Sequence, residues 1–395
     1  MLGAAVLAGL QAVVVLVVSK SALPDDDFTP VAQLWAMWAV VAASLNFGCQ
    51  QWAAVRPAGV AMLAEASGRR LVVALLAVSL TVAAVSFPVR GVLFGDGSPW
   101  WPAFAGLLPI GTALIGLTRG ELARLGEHGR LVTVMAVENT VRLVATLFLA
   151  AVGASAPWYG AALLLGFGTA ILRRPGIRHP ARVDLRPLVV ASTAGLSSHA
   201  LLFGAPILLA LSGGSDEDVV ALFVVLAAVR APFVLLQGLI PRIAVRFGAA
   251  PERLVASTRT IVAVGLAAAS LAAVLGALLG DPVVGTLFAV RGEIPHVVYA
   301  LLGAAACLGV TVTVVTVRLV AASVVRPLVV AWSLPLLATV VAVATGSLAG
   351  LAAVSTWVVG AHLVVVAVVV VATGLGGRTG SPSGRAVPES WSAAG

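Results

Sequence analysis

Charge is what this sequence has least of. Only 10% of its 395 residues are Asp, Glu, Lys or Arg, while 60% are hydrophobic. Soluble domains carry about 25% charged residues, so a water-soluble globule is excluded. Cysteine is almost missing: Cys49 and Cys307 stand far apart, each in an apolar run. That excludes a disulfide framework and any CxxC metal or redox site. There is no P-loop, no HExxH and no GxSxG, which removes an ATPase, a zinc protease and a nucleophile-elbow hydrolase. The loops on one side are too short to house a glycosyltransferase domain, so the chain reads as a non-enzyme, and no cofactor is implied. Polar–apolar alternation is also lacking, which argues against a β-barrel.

What is present is a series of long apolar runs, with a mean hydropathy of +1.08. The fold class is all-α, a polytopic membrane protein. About twelve spans are expected, near 2–20, 31–55, 70–94, 100–118, 130–153, 156–173, 187–212, 217–240, 258–280, 295–317, 327–347 and 350–374. The first run lacks a basic leader and a small-residue cleavage site, so it reads as a retained helix. The end of the chain, 376–395, is rich in Gly, Ser and Pro and is expected to be disordered.

Basic residues alternate with the spans. One side carries most of them, among them Arg56, Arg69, Arg70, Arg119, Arg124, Arg130 and the link RRPGIRHPARVDLRP (Arg173–Pro187). The other side carries Lys20, Arg90 and Arg291, along with acidic residues such as Asp25–Asp27, Asp216–Asp218 and Asp281. Positive loops stay in the cytoplasm, which puts both termini inside a multi-pass protein of the cell membrane. The net charge of +8 then needs no nucleic acid. Trp100, Trp101 and Trp158 fall at outer span ends, as interfacial anchors do. The basic link, 175–186, divides the chain into a six-helix lobe at 1–174 and another at 187–375. The halves repeat weakly. Asp25–Asp27 precede the second span and Asp216–Asp218 the eighth, FGCQQWAAVR closes one and QGLIPRIAVR the other. Six-helix halves start and end on one side, so the repeat is parallel.

Two arginines have no loop to occupy. Arg142 lies with Glu138 inside the fifth span, RLVTVMAVENTVRLVATLFLAAVG, and Arg230 lies midway along the eighth, ahead of Pro232. A charge at that depth costs roughly 2.5–3.5 kcal/mol on insertion scales and normally faces a cavity or a partner. Glu138 and Arg142 are spaced i, i+4 in the favourable order, so they either neutralise each other between packed helices or wall a polar cavity. Arg230 has no acidic neighbour within a turn and needs a carboxylate elsewhere, exposed carbonyls or an anionic ligand. His199, in the polar stretch STAGLSSHALLFGAP, is either a hydrogen-bonded neutral ring or a protonatable group coupled to transport. Asn46, Gln50 and Gln51 either meet sugar hydroxyls or join helices.

Three stretches resemble the polysaccharide (O-antigen-type) flippase branch of the multidrug/oligosaccharidyl-lipid/polysaccharide exporter superfamily. They are LPDDDFTPVAQLWAMWAVVAASLNFGCQQWAAVR, RGELARLGEHGRLVTVMAVENTVRLV and DEDVVALFVVLAAVRAPFVLLQGLIPRIAVRF. That family usually has a glycine where Thr29 or Pro30 stands. The resemblance implies two lobes around a central cavity that opens alternately to each side. It implies a substrate too, a lipid-diphosphate-linked saccharide flipped from the cytoplasmic to the outer leaflet for surface polysaccharide export. Partners would be that lipid, the bilayer, and a polysaccharide polymerase or glycosyltransferases. On that reading Arg142 and Arg230 hold the diphosphate, since guanidinium suits phosphate oxygens. Glu138 would tune them, and polar groups such as Asn46 and Gln50 would meet the sugars. The alternatives are a MATE-like exporter of small molecules and drugs, and a non-transporting scaffold of an envelope assembly complex.

Overall fold

The computed structural model describes residues 2–54, 66–95, 98–172, 199–229, 254–288, 294–321 and 326–379, and single residues at 188, 192, 236, 243 and 247. All regular structure among them is helical. Of the sequence expectations, Arg230, the link 175–186 and residues 380–395 lie outside the described residues.

The first half begins with α1 (Leu2–Ala22) and α2 (Asp25–Val41). A π-helical turn (Ala42–Asn46) joins α2 to α3 (Phe47–Ala54), so the second span is one rod with an irregular middle. There follow α4 (Ala66–Ser86), the short α5 (Arg90–Phe94), α6 (Trp100–Arg124), α7 (His128–Ala151) and α8 (Ala156–Leu165). The last of these tightens into a 3-10 turn over Gly166–Leu172. The second half contains α9 (Ala205–Leu211), α10 (Asp216–Ala228), α11 (Leu254–Phe288), α12 (His296–Ala321), α13 (Arg326–Ala344) and α14 (Leu351–Thr379). Residues 199–203 are helical ahead of α9.

Six of the described helices are long and apolar enough to cross a membrane, including His128–Ala151 and Ala256–Phe288. Where helices are described they lie on the expected spans, but the third span breaks after Ser86, the ninth runs longer, from Leu254 to Phe288, and three further differences stand out. The last helix runs on to Thr379, so the first four residues of the expected tail are helical. Trp101 is fully buried, stacked on Phe94 at 6.0 Å, and is no interfacial anchor, whereas Trp100 and Trp158 are exposed. The fourth span extends past residue 118 and takes Arg119 and Arg124 out of the loop and into α6.

Local chemistry sets the helix ends. Gly153 and Gly213 adopt φ of 63° and 88°, left-handed values that glycine accepts without strain, and so stop α7 and α9. Ser155 and Ser215 then open the next helices from extended backbone. Ser215 caps α10 by accepting from the Asp218 N–H at 3.2 Å, and Asp216, Glu217 and Asp218 place negative charge on its first turn, where the helix dipole favours it.

Small residues set the packing. Gly116 and Gly120 of α6 lie against the backbones of Asn46 and Gln50, where an added Cβ would overlap the main chain. Gly276 of α11 and Gly303 of α12 do the same between those two helices, while Gly265 and Gly280 of α11 leave room for the side chains of Thr311 and Tyr299. With lipid as solvent there is no hydrophobic gain from helix–helix contact, so close backbone approach is what holds such pairs together.

The apolar core is divided by depth. Toward the acidic end one cluster joins both halves, from Phe28, Leu34 and Trp101 to Leu222, Val298 and Val354. There α2 packs on α9 and α10, and α1 on α11. Phe28 meets Phe223 edge-on at 6.1 Å, and the Gln33 amide donates to the Pro206 carbonyl at 3.3 Å. Toward the basic end the described residues form smaller clusters. One surrounds Cys49, Trp52 and Leu117 and takes in Leu188 of the second half; another surrounds Val315, Trp332 and Val365.

A buried arginine–glutamate–arginine cluster

Helix α7 buries one stripe, Leu131, Val134, Glu138, Arg142 and Thr146. The spacing of three and four residues is that of a single helix face, so the apolar contacts at one end carry the two charges inward with them. Helix α7 packs on α1, α6 and α8, and the two charges of the stripe meet α2, α6, α8 and the 3-10 turn.

Glu138 is clasped from two sides. Its Oε1 accepts from Arg142 Nη1 at 2.7 Å, and its Oε2 accepts from Arg119 Nη2 at 2.6 Å. The side chains of Glu138, Arg142 and Arg119 are 3%, 3% and 10% exposed. These are short, charge-assisted bonds in a dry setting, where the desolvation of three ions must be offset by geometry. Arg142 gains two further kinds of contact. Its Nε donates to the Leu163 carbonyl at 2.9 Å, on the last α-helical turn before Gly166. Its guanidinium lies 5.0 Å from the centroid of the Trp38 ring and 5.7 Å from that of Phe167, within cation–π range. Gly166 makes room for it, since a Cβ there would overlap the guanidinium.

Two arginines against one glutamate leave the cluster with a formal charge of +1. Arg142 Nη2 and Arg119 Nε are buried without a hydrogen-bond partner. The chemistry on offer is electrostatic, a surplus of buried N–H donors and positive charge matched to an anion.

The sequence-predicted residues divide accordingly. Glu138 and Arg142 do form their i, i+4 pair, and the structure adds Arg119, which was placed in a loop because the hydropathic run ends at Thr118. The signal that could have found it is GLTRG (Gly116–Gly120), a close-packing pattern that holds Arg119 inside a helix interface. Asn46 lies in the π-turn, buried, with Oδ1 lacking a partner, while Gln50 is half-buried on α3. Both are brought against the α6 turn that bears Arg119 through their backbones. His199 belongs to the second half, buried, with its ring stacked on Phe203 at 5.7 Å. Three further groups escaped sequence reasoning. His362 is fully buried in α14, its Nδ1 2.7 Å from the Val358 carbonyl. Arg318, one residue past the expected end of its span at 317, is buried in the last turn of α12 and donates to Ser257 Oγ at 3.0 Å. Trp38 could be recognised only once its helix was placed.

No protein-family model matches the sequence, and no curated protein does. Solved structures do match the fold. A multidrug resistance MATE family transporter of the MOP superfamily, in its inward-facing conformation, superposes with a TM-score of 0.53 at 16% identity, over 96% of this chain and 96% of that one. The outward-facing conformation of such a transporter gives 0.51 at 16% identity, over 95% of each chain. A MATE structure in the straight conformation gives 0.52 at 14% identity, over 94% of this chain and 93% of that one. The architecture is therefore the MATE-like helical membrane fold, matched almost from end to end.

Proposed function

We propose that this protein is a membrane transporter working by alternating access between its two halves, and that its substrate is a lipid-diphosphate-linked saccharide. The observation that supports the reading is the +1 charge of the buried Arg119–Glu138–Arg142 cluster, with donors left over on both arginines. A diphosphate crossing a hydrocarbon layer needs such donors, and guanidinium meets its oxygens in pairs. Arg230 would supply a second cation from the other half, His199 a polar group there, and Asn46 and Gln50 hydrogen bonds to the sugars. With the basic loops in the cytoplasm, the core shared at the acidic end corresponds to a molecule closed toward the outside.

The fold favours a second reading. The solved relatives in shape include multidrug transporters, so export of a small molecule fits the architecture equally. A cationic drug is a poor match for a cluster that is itself positive. A scaffold without substrate has no use for surplus buried charge.

Substitution of Arg142 by Gln separates these readings and leaves Glu138 still paired with Arg119. The expected result is loss of undecaprenyl-diphosphate binding by the purified protein and loss of lipid-linked saccharide flipping in liposomes. Arg142→Lys is expected to recover part of the binding. Undiminished binding in Arg142→Gln would remove the cluster from the substrate path; uptake of cationic dyes by the parent would favour the drug exporter.

A further inference from the structure

The second span is built from two parts that are held differently. Its basic-end part, α3, is locked to α6, with the backbones of Asn46 and Gln50 seated on Gly116 and Gly120. Its acidic-end part, α2, touches both halves and makes the cross-half contacts of Phe28 with Phe223 and of Gln33 with Pro206. Between the two parts lies the π-turn Ala42–Asn46. A π-turn carries one extra residue and a weakened hydrogen-bond ladder, and sharp helix bends concentrate at such places. Within it Ser44 turns its hydroxyl back on the Val40 carbonyl, and the Asn46 Oδ1 is buried without a partner. The turn also lies where this span passes from one apolar cluster to another, between Ala39 and Cys49.

Trp38 is one turn before that irregularity, on the α2 side. Its ring covers the Arg142 guanidinium, which belongs to α7 and is held there by Glu138 and the Leu163 carbonyl. Any tilt of α2 about the π-turn therefore moves the cover and leaves the arginine where it is.

We propose that α2 swings about the Ala42–Asn46 turn when the acidic end opens, and that Trp38 is a shutter on Arg142, uncovering the guanidinium for an anionic group only in the opened state. The opening itself rests on the transporter reading above. The hinge and the shutter are additional to it. In the closed state the ring excludes water and competing anions from a charged group about halfway through the membrane. In the opened state Arg142 can exchange its aromatic face contact for a phosphate oxygen without losing Glu138.

Two measurements test this in the full chain, in nanodiscs, on a Cys49→Ala, Cys307→Ala background. Spin-label distances are read for three pairs: 107 with 347 across the halves, 27 with 107 for α2 against α6, and 50 with 107 for α3 against α6. The expected result is two distances for the first two pairs and a single distance for the third. A single 27–107 distance while the cross-half pair shows two overturns the hinge and leaves the transporter reading intact. A single cross-half distance overturns the opening, and the hinge with it. The second measurement is modification of Arg142 by phenylglyoxal, followed by mass spectrometry. Trp38→Ala is expected to raise it several-fold and Trp38→Phe to leave it near the parent level. Equal modification in Trp38→Ala and parent overturns the shutter.

Discussion

At the scale of single residues, the cluster is asymmetric, and its asymmetry orders the effects of substitution. Removing either arginine leaves a neutral pair, Glu138 with Arg119 or Glu138 with Arg142. Removing the carboxylate leaves two guanidinium groups facing each other with nothing between them. Stranding buried charge typically costs about 3–5 kcal/mol. Glu138→Gln is thus expected to lower thermal stability in detergent the most, with Arg142→Gln and Arg119→Gln well above it. Adding Arg142→Gln to Glu138→Gln is expected to recover part of the loss, because only one cation then remains. Equal melting temperatures across the single variants would mean that water or lipid headgroups reach the cluster and screen it.

At the scale of elements, the packing around Arg142 couples two helices through one glycine. A methyl group at Gly166 would occupy the position of the guanidinium, so Gly166→Ala is expected to push Arg142 off the Leu163 carbonyl. Overpacking of this kind costs about 1–3 kcal/mol. With Arg142→Gln the obstruction is smaller, and the same glycine change is expected to cost less. Melting temperatures of the two single variants and the double variant measure that coupling, and strict additivity would show that the two sites do not touch. The elements themselves were legible in the sequence. Apolar run length is a local signal, and the described helices lie on the runs it marked. Glu138 and Arg142 were legible for the same reason, as charges at helical spacing within one run. Arg119 was not. Its run of hydropathy had ended, and its burial depends on how closely α6 approaches α3 and α7, a tertiary property. Trp101 failed in the opposite direction: the end of a span predicts an interfacial tryptophan, but the fold places Phe94 beside it. The π-turn leaves no mark in AASLN that differs from an ordinary helical stretch.

At the scale of the whole molecule, the division of the core by depth carries the mechanical argument. Two halves that share a large apolar core at the acidic end are joined there like a closed clamp, while at the basic end the described contact is smaller, Leu188 against the cluster of Cys49 and Trp52. Opening at the acidic end would have to break the contacts of α2 with α9 and α10, beginning with Phe28 on Phe223. Cysteines at those two positions, bridged by a short reducible thiol cross-linker on the Cys49→Ala, Cys307→Ala background, are therefore expected to trap this state. Transport of the lipid-linked saccharide in liposomes should stop on cross-linking and return on reduction. Binding of undecaprenyl diphosphate should fall with the bridge in place, because Trp38 then stays on Arg142, and should return on reduction. Transport that continues with the bridge intact would show that the acidic end does not need to open. The two halves would then be a rigid frame, and the substrate would have to pass elsewhere.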